Sequence, residues 1–552
     1  MPPSPPASDD RLDSWKEIAA HLNRGVRTVR RWEREEGLPV HRHVHRTQGS
    51  VYAYKSEIEA WRAAGSRAPA AGSSAALRAV VTAGRMTSIV VLPFTNLSTD
   101  PENAYFADGL TDEVTANLSK VRALRVISRT SSMTFRGTTK DVKTIATELG
   151  VRYVLEGSVR RSGSRLRITA QLIDAGTDHH LWADTYDGVV DDVFAIQERL
   201  ARVIVEALEL QLTADEERGL AARPIDNLPA YECYLRARQE GWRWRKDAID
   251  HAVHLLRNGL EIIGDNARLY AALGLAYLQY REAGIDFGER PLVEAETCVR
   301  KVFALEPNAA SASGLQLRGW IHHSRGRIQE AVRDLKAALD IDASNADALL
   351  VLCNCYLISG RVSTARPLTT RLLAIDPLTP LSRCMPAWAD VLEGHVAAAV
   401  EPYRQMFDMD PTNPMARLFY VWVLVLNRRA DAAGAILETF PPEMRDTLPA
   451  RIAFFLAHAL AGDRRKAQAV LPPEIDVVAT APDVFPRFLA QGFALAGMPE
   501  RAMHWLEIAV ARGFINHPFL ARHDPALATL RREPRFVQLM DVVRDRWERF
   551  DA

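Results

Sequence analysis

Cysteine is scarce in this 552-residue chain, and so is lysine. The five cysteines, Cys233, Cys298, Cys353, Cys355 and Cys384, are odd in number and include no C-x-x-C pair. That excludes a disulfide framework and points to a reducing compartment, so a cytoplasmic location is expected. Only nine of the 69 basic residues are Lys, and the basic total equals the 69 acidic residues, for a net charge of zero. No global field recruits nucleic acid, so any such affinity has to come from a local basic patch. The most apolar run, Leu418 to Leu426, is about half the ~20 residues a membrane-crossing helix needs. The amino terminus lacks the basic and apolar regions of a signal peptide. No membrane partner is expected.

With 47% hydrophobic and 25% charged residues, the chain has globular rather than disordered composition. Its length suits about three or four domains. A Pro/Ser tail (1–10), a small polar linker (65–86) and a break near 222–229 divide it. Between them lie a basic segment (11–64), a mixed α/β segment (87–215) and a long helical remainder (230–550).

In the basic segment, Ser14 precedes Trp15-Lys-Glu-Ile-Ala-Ala-His-Leu22, with Glu17 three residues on, the spacing of a capped helix start. Asn23-Arg24-Gly25 reads as a tight turn, and a second helix is predicted from about Val26 to Glu36. At 100° per residue, Val26, Val29 and Trp32 share a face that can pack on the first helix. Arg27, Arg30, Arg31 and Arg34 form a stripe opposite, uninterrupted by acid. A short helix held by one face and showing guanidiniums on the other suits a DNA groove, where Arg grips phosphate or pairs with guanine. The segments Gly37 to Arg46 and Ser50-Val-Tyr-Ala-Tyr54 predict a β-hairpin wing, and a short closing helix follows to Trp61. His41, His43 and His45 alternate on that wing. A metal reading of them lacks a completing carboxylate or Cys, and a polar edge facing phosphate explains them better.

Residues 14–61 resemble the winged helix-turn-helix of the MerR/excisionase group. The likeness rests on Trp15, Glu17, Ile18, Ala19 and Leu22, then Thr28-Val-Arg-Arg-Trp32, Gly37-Leu-Pro39 and Val51-Tyr-Ala-Tyr54. The resemblance implies that the second helix enters the major groove while the wing touches backbone. The expected DNA-binding residues are Arg24, Arg27, Thr28, Arg30, Arg31, Arg34, Arg42 and His43. One such module contacts few base pairs, so a homodimer would serve specific binding, although no segment of the sequence identifies its contact.

The middle segment alternates strands (Ile89–Leu92, Arg125–Ile127, 153–160, 165–174, 180–186) with helices (106–118, 142–149, 193–212), a mixed sheet covered by helices. Arg161-Ser-Gly-Ser164 marks a hairpin. Val91-Leu-Pro-Phe94, Tyr105-Phe-Ala-Asp-Gly-Leu110, Val126 to Ser131 and Glu148 to Val159 resemble the TolB amino-terminal-like (FlgO-like) domain. The resemblance implies a structural or interaction module. Asp108 and Asp112 could suggest metal ligands, but helix-end compensation is the simpler role. No phosphate-binding Gly loop and no G-x-S-x-G is present. No catalytic residue, metal or cofactor is expected, and the chain is expected not to be an enzyme.

The remainder repeats. Ala331, Ala365, Ala399, Ala433 and Ala467 are 34 residues apart, each followed four positions later by Leu335, Thr369, Tyr403, Leu437 or Leu471. Pro377 and Pro411 stand where units end. These resemble tetratricopeptide repeats, which implies seven or eight helix pairs over 230–515, a capping helix near 536–549 and a groove for a protein or peptide. Cys353 and Cys355 read as small packing residues, not metal ligands.

The expected fold class is therefore multidomain: a small winged helix-turn-helix, a mixed α/β domain, then an all-α tetratricopeptide-repeat solenoid. The expected function is a cytoplasmic DNA-binding transcriptional regulator with double-stranded DNA and protein as partners. The alternative is a non-enzymatic interaction scaffold whose helix-turn-helix docks protein.

Overall fold

Local capping and apolar spacing account for most of the elements seen in a computed structural model. It describes residues 11–12, 14–22, 26, 29, 38–43, 50–55, 57–58 and 87–551, except 101–102, 242–244, 283–284, 287, 307–310 and 480–483. The chain forms two units, Met1–Gly84 and Arg85–Ala552.

In the first unit, the Ser14 hydroxyl accepts from the Glu17 N–H at 3.2 Å and starts helix α1 (Trp15–His21). Strands β1 (Arg11–Leu12), β2 (His41–His43) and β3 (Ser50–Tyr54) form an antiparallel sheet with β3 central. The β2–β3 hairpin pairs His41 with Tyr52 and His43 with Ser50. A small core of Leu12, Ile18, Ala19, Leu22, Val29, Leu38, Ala53 and Ile58 lies between helix and sheet, with Val26 packed against it.

The second unit opens with β4 (Thr87–Val91), β5 (Thr95–Asn96), helix α2 (Ala104–Ser119), β6 (Leu124–Val126), α3 (Arg129–Met133) and α4 (Val142–Leu149). Then come β7 (Tyr153–Ser162), β8 (Arg165–Asp174), β9 (His179–Val189), α5 (Val193–Ala207) and α6 (Ala214–Ala221). The sheet order is β6-β4-β7-β8-β9, with β5 beside β7. Strands β6, β4 and β7 run parallel, because helical crossovers join them. The last three strands are an antiparallel meander. The β7–β8 turn is the two residues Gly163–Ser164, with Gly163 at φ 58°, so β7 runs two residues longer than the polarity pattern indicates while β8 keeps the expected bounds. The helix expected over 193–212 stops at Ala207. Glu209 takes a left-handed φ of 54° there, and Thr213 with Glu216 caps a separate α6.

Eight helix pairs follow among the described residues: 228–241/246–263, 267–282/290–305, 312–324/328–341, 346–358/362–375, 380–392/400–409, 414–426/430–438, 448–460/464–469 and 484–495/499–511. A final helix, Pro534–Glu548, closes the solenoid. The five 34-spaced alanines are all fully buried, since a small side chain lets paired helices approach. Leu418 and Val421 to Leu426 are also buried in this core, with Phe419 and Tyr420 packed against it, and no described helix is long and apolar enough to cross a membrane. All five cysteines are free thiols, and Cys353 and Cys355 are buried packing residues.

Candidate functional site

The side chains expected on DNA lie outside the described part of the first unit. Arg24, Arg27, Thr28, Arg30, Arg31 and Arg34 are outside the described residues altogether, and of Arg42 and His43 only the strand backbone is described. What is described is the inner side: Val29 is fully buried and Val26 packs beside it. On the hairpin, His41 hydrogen-bonds the Glu57 carboxylate through Nε2 at 2.7 Å and stacks on Tyr52, with ring centroids 5.1 Å apart.

In the second unit, two edges of the repeat array are covered by other parts of the same chain. The α/β segment lies on the loops between pairs. Helix α2 meets the first pair so closely that a Cβ on Gly109 would sit 2.5 Å from the Leu235 side chain. Arg238 reaches Asp112 at 3.5 Å and Arg268 donates to Glu113 at 3.0 Å. Farther along, the Ser128 N–H donates to the Ile375 carbonyl at 2.6 Å. The Asp376 carboxylate, 4% exposed, accepts from the hydroxyls of Ser128, Ser131 (2.8 Å), Thr379 (2.7 Å) and Ser382 (2.5 Å). Such a buried carboxylate is stabilised because both oxygens accept, Oδ1 from three hydroxyls and Oδ2 from one.

Burial raises the Asp112 carboxyl above its usual range, although Arg129 and Arg238 pull it down. Burial also pushes Asp342, in the loop before the fourth pair, up to about 6. The Lys120 ammonium is lowered by burial and by Arg268. A small cavity in this seam is lined by Glu113, Lys120, Gln197, Tyr231, Tyr234 and Arg268, so both signs of charge face it. Asp108 and Asp112 are occupied as acceptors: Arg136 and Gln239 donate to Asp108, and Arg129 donates to Asp112.

The opposite edge, made by the turns inside pairs, is covered by the carboxy-terminal segment. Gly326, Gly360, Gly394 and Gly462 occupy these turns at 34-residue spacing with φ of 73–91°, and Arg428 takes the same place at 57°. A left-handed residue here ends one helix and starts the next. The Ile515 N–H donates to the Ile358 carbonyl at 3.0 Å, the Asn516 amide to that of Leu357 at 3.0 Å, and Arg428 to that of Pro525 at 2.9 Å. Arg361 donates to the carbonyls of Trp547 and Phe550 at 2.6 and 2.8 Å. Inside this seam, Trp388 packs against Trp422, Phe514 and Phe519 at 5.5, 6.4 and 6.3 Å. The buried Arg487 guanidinium lies 4.6 Å from the Trp388 ring centre. Gln491 accepts from the Trp422 indole at 2.9 Å and donates to Asp524 at 2.7 Å. Sequence reading gave the capping helix near 536–549, seen as Pro534–Glu548, but not the fold-back of the segment onto these turns.

Among the described residues, Asp390, Glu393 and His395 bring ligand atoms within 4.8 Å of one another. Arg366 already donates to both carboxylates, at 2.7 Å to Asp390, so the group is an ion-pair cluster.

Comparison with known proteins places family models on two stretches. Residues 85–203 match the second domain of HilA/YgeH-like transcriptional regulators, where the sequence had suggested a TolB amino-terminal-like module. Residues 322–382 match the tetratricopeptide repeat. A relative from Rhizobium meliloti (strain 1021), named putative adenylate cyclase 3, is 46% identical over 191 residues, 35% of this chain and 32% of the relative. The chain thus matches about a third of that protein's length. Among solved structures, a tetratricopeptide repeat protein from Parabacteroides merdae ATCC 43184 is 14% identical, over 57% of this chain and 99% of that one, with a TM-score of 0.27. The Cut9–Hcn1 hetero-tetramer of APC/C gives 12% identity, 64% and 84% coverage and a TM-score of 0.31.

The expectation that the chain is not an enzyme is contradicted by this relative, which is named putative adenylate cyclase 3 and shares 35% of this chain. The expectation rested on missing linear motifs. Catalytic groups are assembled by the fold from distant positions, so their absence from any one stretch decides nothing. The chain carries tetratricopeptide repeats and a HilA/YgeH-like transcriptional regulator domain.

Proposed function

We propose that the chain is a cytoplasmic DNA-binding transcriptional regulator whose residues 11–64 form a winged helix-turn-helix and whose repeats receive a protein partner. The regulator-domain match over residues 85–203 carries this reading. Support comes from the first unit, where Val26 and Val29 join the core under α1. On the helix proposed from Val26 to Glu36, the stripe of Arg27, Arg30, Arg31 and Arg34 would meet a duplex. Arg24 and Thr28 flank the stripe, and Arg42 and His43 bring the hairpin to the phosphate backbone.

Duplex binding by the whole chain across roughly 50–200 mM salt tests it. Arg30→Ala with Arg31→Ala should weaken binding several-fold and flatten the salt slope by about 2, since each phosphate contact contributes about 0.9. Unchanged affinity and slope would remove the stripe from the interface. A second reading, nucleotide cyclisation, is favoured by the 46% identical relative. Cyclic AMP production from ATP and a divalent cation by the purified chain would support it, and no product at high enzyme concentration would count against it.

A further inference from the structure

Strand β9 (His179–Val189) ends the six-stranded sheet, with β8 on one side and no strand of the described residues on the other. Eleven residues make a long edge. Its outward N–H and C=O groups carry no strand partner and are a template for one, which proteins usually blunt with Lys, Pro or a covering element. A second strand would displace two side-chain contacts, Thr185 N–H to the Asp184 carboxylate at 2.8 Å and Val189 N–H to that of Asp192 at 2.9 Å. β9 contains neither Lys nor Pro, and Tyr186 alone among its residues is buried. A bulge beside Leu181 leaves Trp182 to Val189 as a regular ladder. Large apolar side chains at its two ends are exposed, Leu181 at 43% and Val189 at 44%.

The pattern along this edge is self-complementary. In an antiparallel pair, opposed residues share a face, so a two-fold axis perpendicular to the sheet has to pass through one residue position. With the axis at Thr185, Thr185 meets its own copy, Asp184 meets Tyr186 and Ala183 meets Asp187. Trp182 covers Gly188, and Leu181 meets Val189. No like charges oppose each other, an aromatic ring covers the glycine and the apolar ends match. An axis at Asp184 would set that carboxylate against itself and Leu181 against Asp187. An axis at Tyr186 would carry Leu181 past the end of the strand to Asp191.

We propose that β9 is the surface through which two copies of this chain associate, joining their sheets edge to edge around Thr185. The dimer would bring two DNA-binding units to one duplex, but the inference does not rest on the DNA reading, and its test contains no DNA. Sedimentation velocity of the full chain should give twice the chain mass. Thr185→Cys should form an intermolecular disulfide on mild oxidation, because position 185 lies on the axis; the native cysteines are all free and four of the five are buried. Leu181→Lys with Val189→Lys opposes two cations and should weaken the dimer about tenfold or more. Leu181→Lys with Val189→Glu should restore it, since each position meets the other on the second copy. A monomeric wild-type chain across the micromolar range, or a dimer unaffected by Leu181→Lys with Val189→Lys, would overturn the proposal.

Discussion

The two covered edges of the repeat array are built from different physics. On the loops between pairs, the α/β segment is held by hydroxyls and guanidiniums: Ser128 and Ser131 on Asp376, Arg238 on Asp112, Arg268 on Glu113. On the turns inside pairs, the carboxy-terminal segment is held by rings and backbone, with Trp388 among Trp422, Phe514 and Phe519. Apolar burial is non-directional and large per residue, whereas buried polar contacts contribute little net energy yet cost much when half broken. The first seam should therefore respond to pH and to single-atom changes, and the second to volume.

The largest expected effect follows from volume. Trp388→Ala opens a cavity beneath Phe514 and Phe519 and should cost about 3–5 kcal/mol. Denaturant unfolding measures it, and hydrogen exchange should rise over residues 514–527 while amides near Ser128 stay protected. Next comes Gly326→Ala. Its φ of 73° already disfavours a side chain, and the new Cβ would meet the Arg512 backbone at 2.9 Å. The cost should be about 2 kcal/mol or more. Gly462→Ala has a similar φ of 78° and open space around it, so it should lose only about 1 kcal/mol. Equal losses at the two glycines would mean that the covering segment does not press on the turn.

On the polar seam, Asp376→Asn removes the charge that four hydroxyls donate to and turns one of the two acceptor oxygens into an amide donor. It should cost about 1–2 kcal/mol, with exchange rising at residues 128–132 and not at 514–527. A further effect is pH-dependent. Asp342 is raised to about 6 in the folded chain by burial, against about 3.9 unfolded. Folding thus favours its neutral form. The contribution is most favourable below about pH 4 and is lost as pH rises toward 6. Asp342→Asn should flatten that part of the stability–pH curve, and an unaltered curve would assign the slope to another carboxyl.

Readings from local pattern held where one element answers to its own residues. The alanine period located five units because each buried Ala packs against its own helix pair. The Arg-Ser-Gly-Ser run located the β7–β8 turn because Gly163 needs only its own φ. Such readings faltered at the end of α5, where Glu209 turns left-handed and no Gly announces it. They were silent about the seams. Ser128 and Ser131 meet an acid 248 and 245 residues away, and no spacing rule spans such a distance. The arginine stripe proposed to meet DNA is a pattern of the sequence alone, and of the same stretch only Val26 and Val29 are accounted for by the core.

What the sequence by itself determined is the periodic and the local: the 34-residue repeat, the capped helices and the hairpins, each set by side chains within a few turns of one another. Tertiary structure alone decided which surfaces are spent on the chain itself. The loops between pairs go to the α/β segment, the turns inside pairs go to the carboxy-terminal segment, and the β9 edge is left open. The physical reason is that a hydroxyl, a ring or a strand edge has no intrinsic partner. It acquires one only when the chain folds back and brings a complementary group within contact distance.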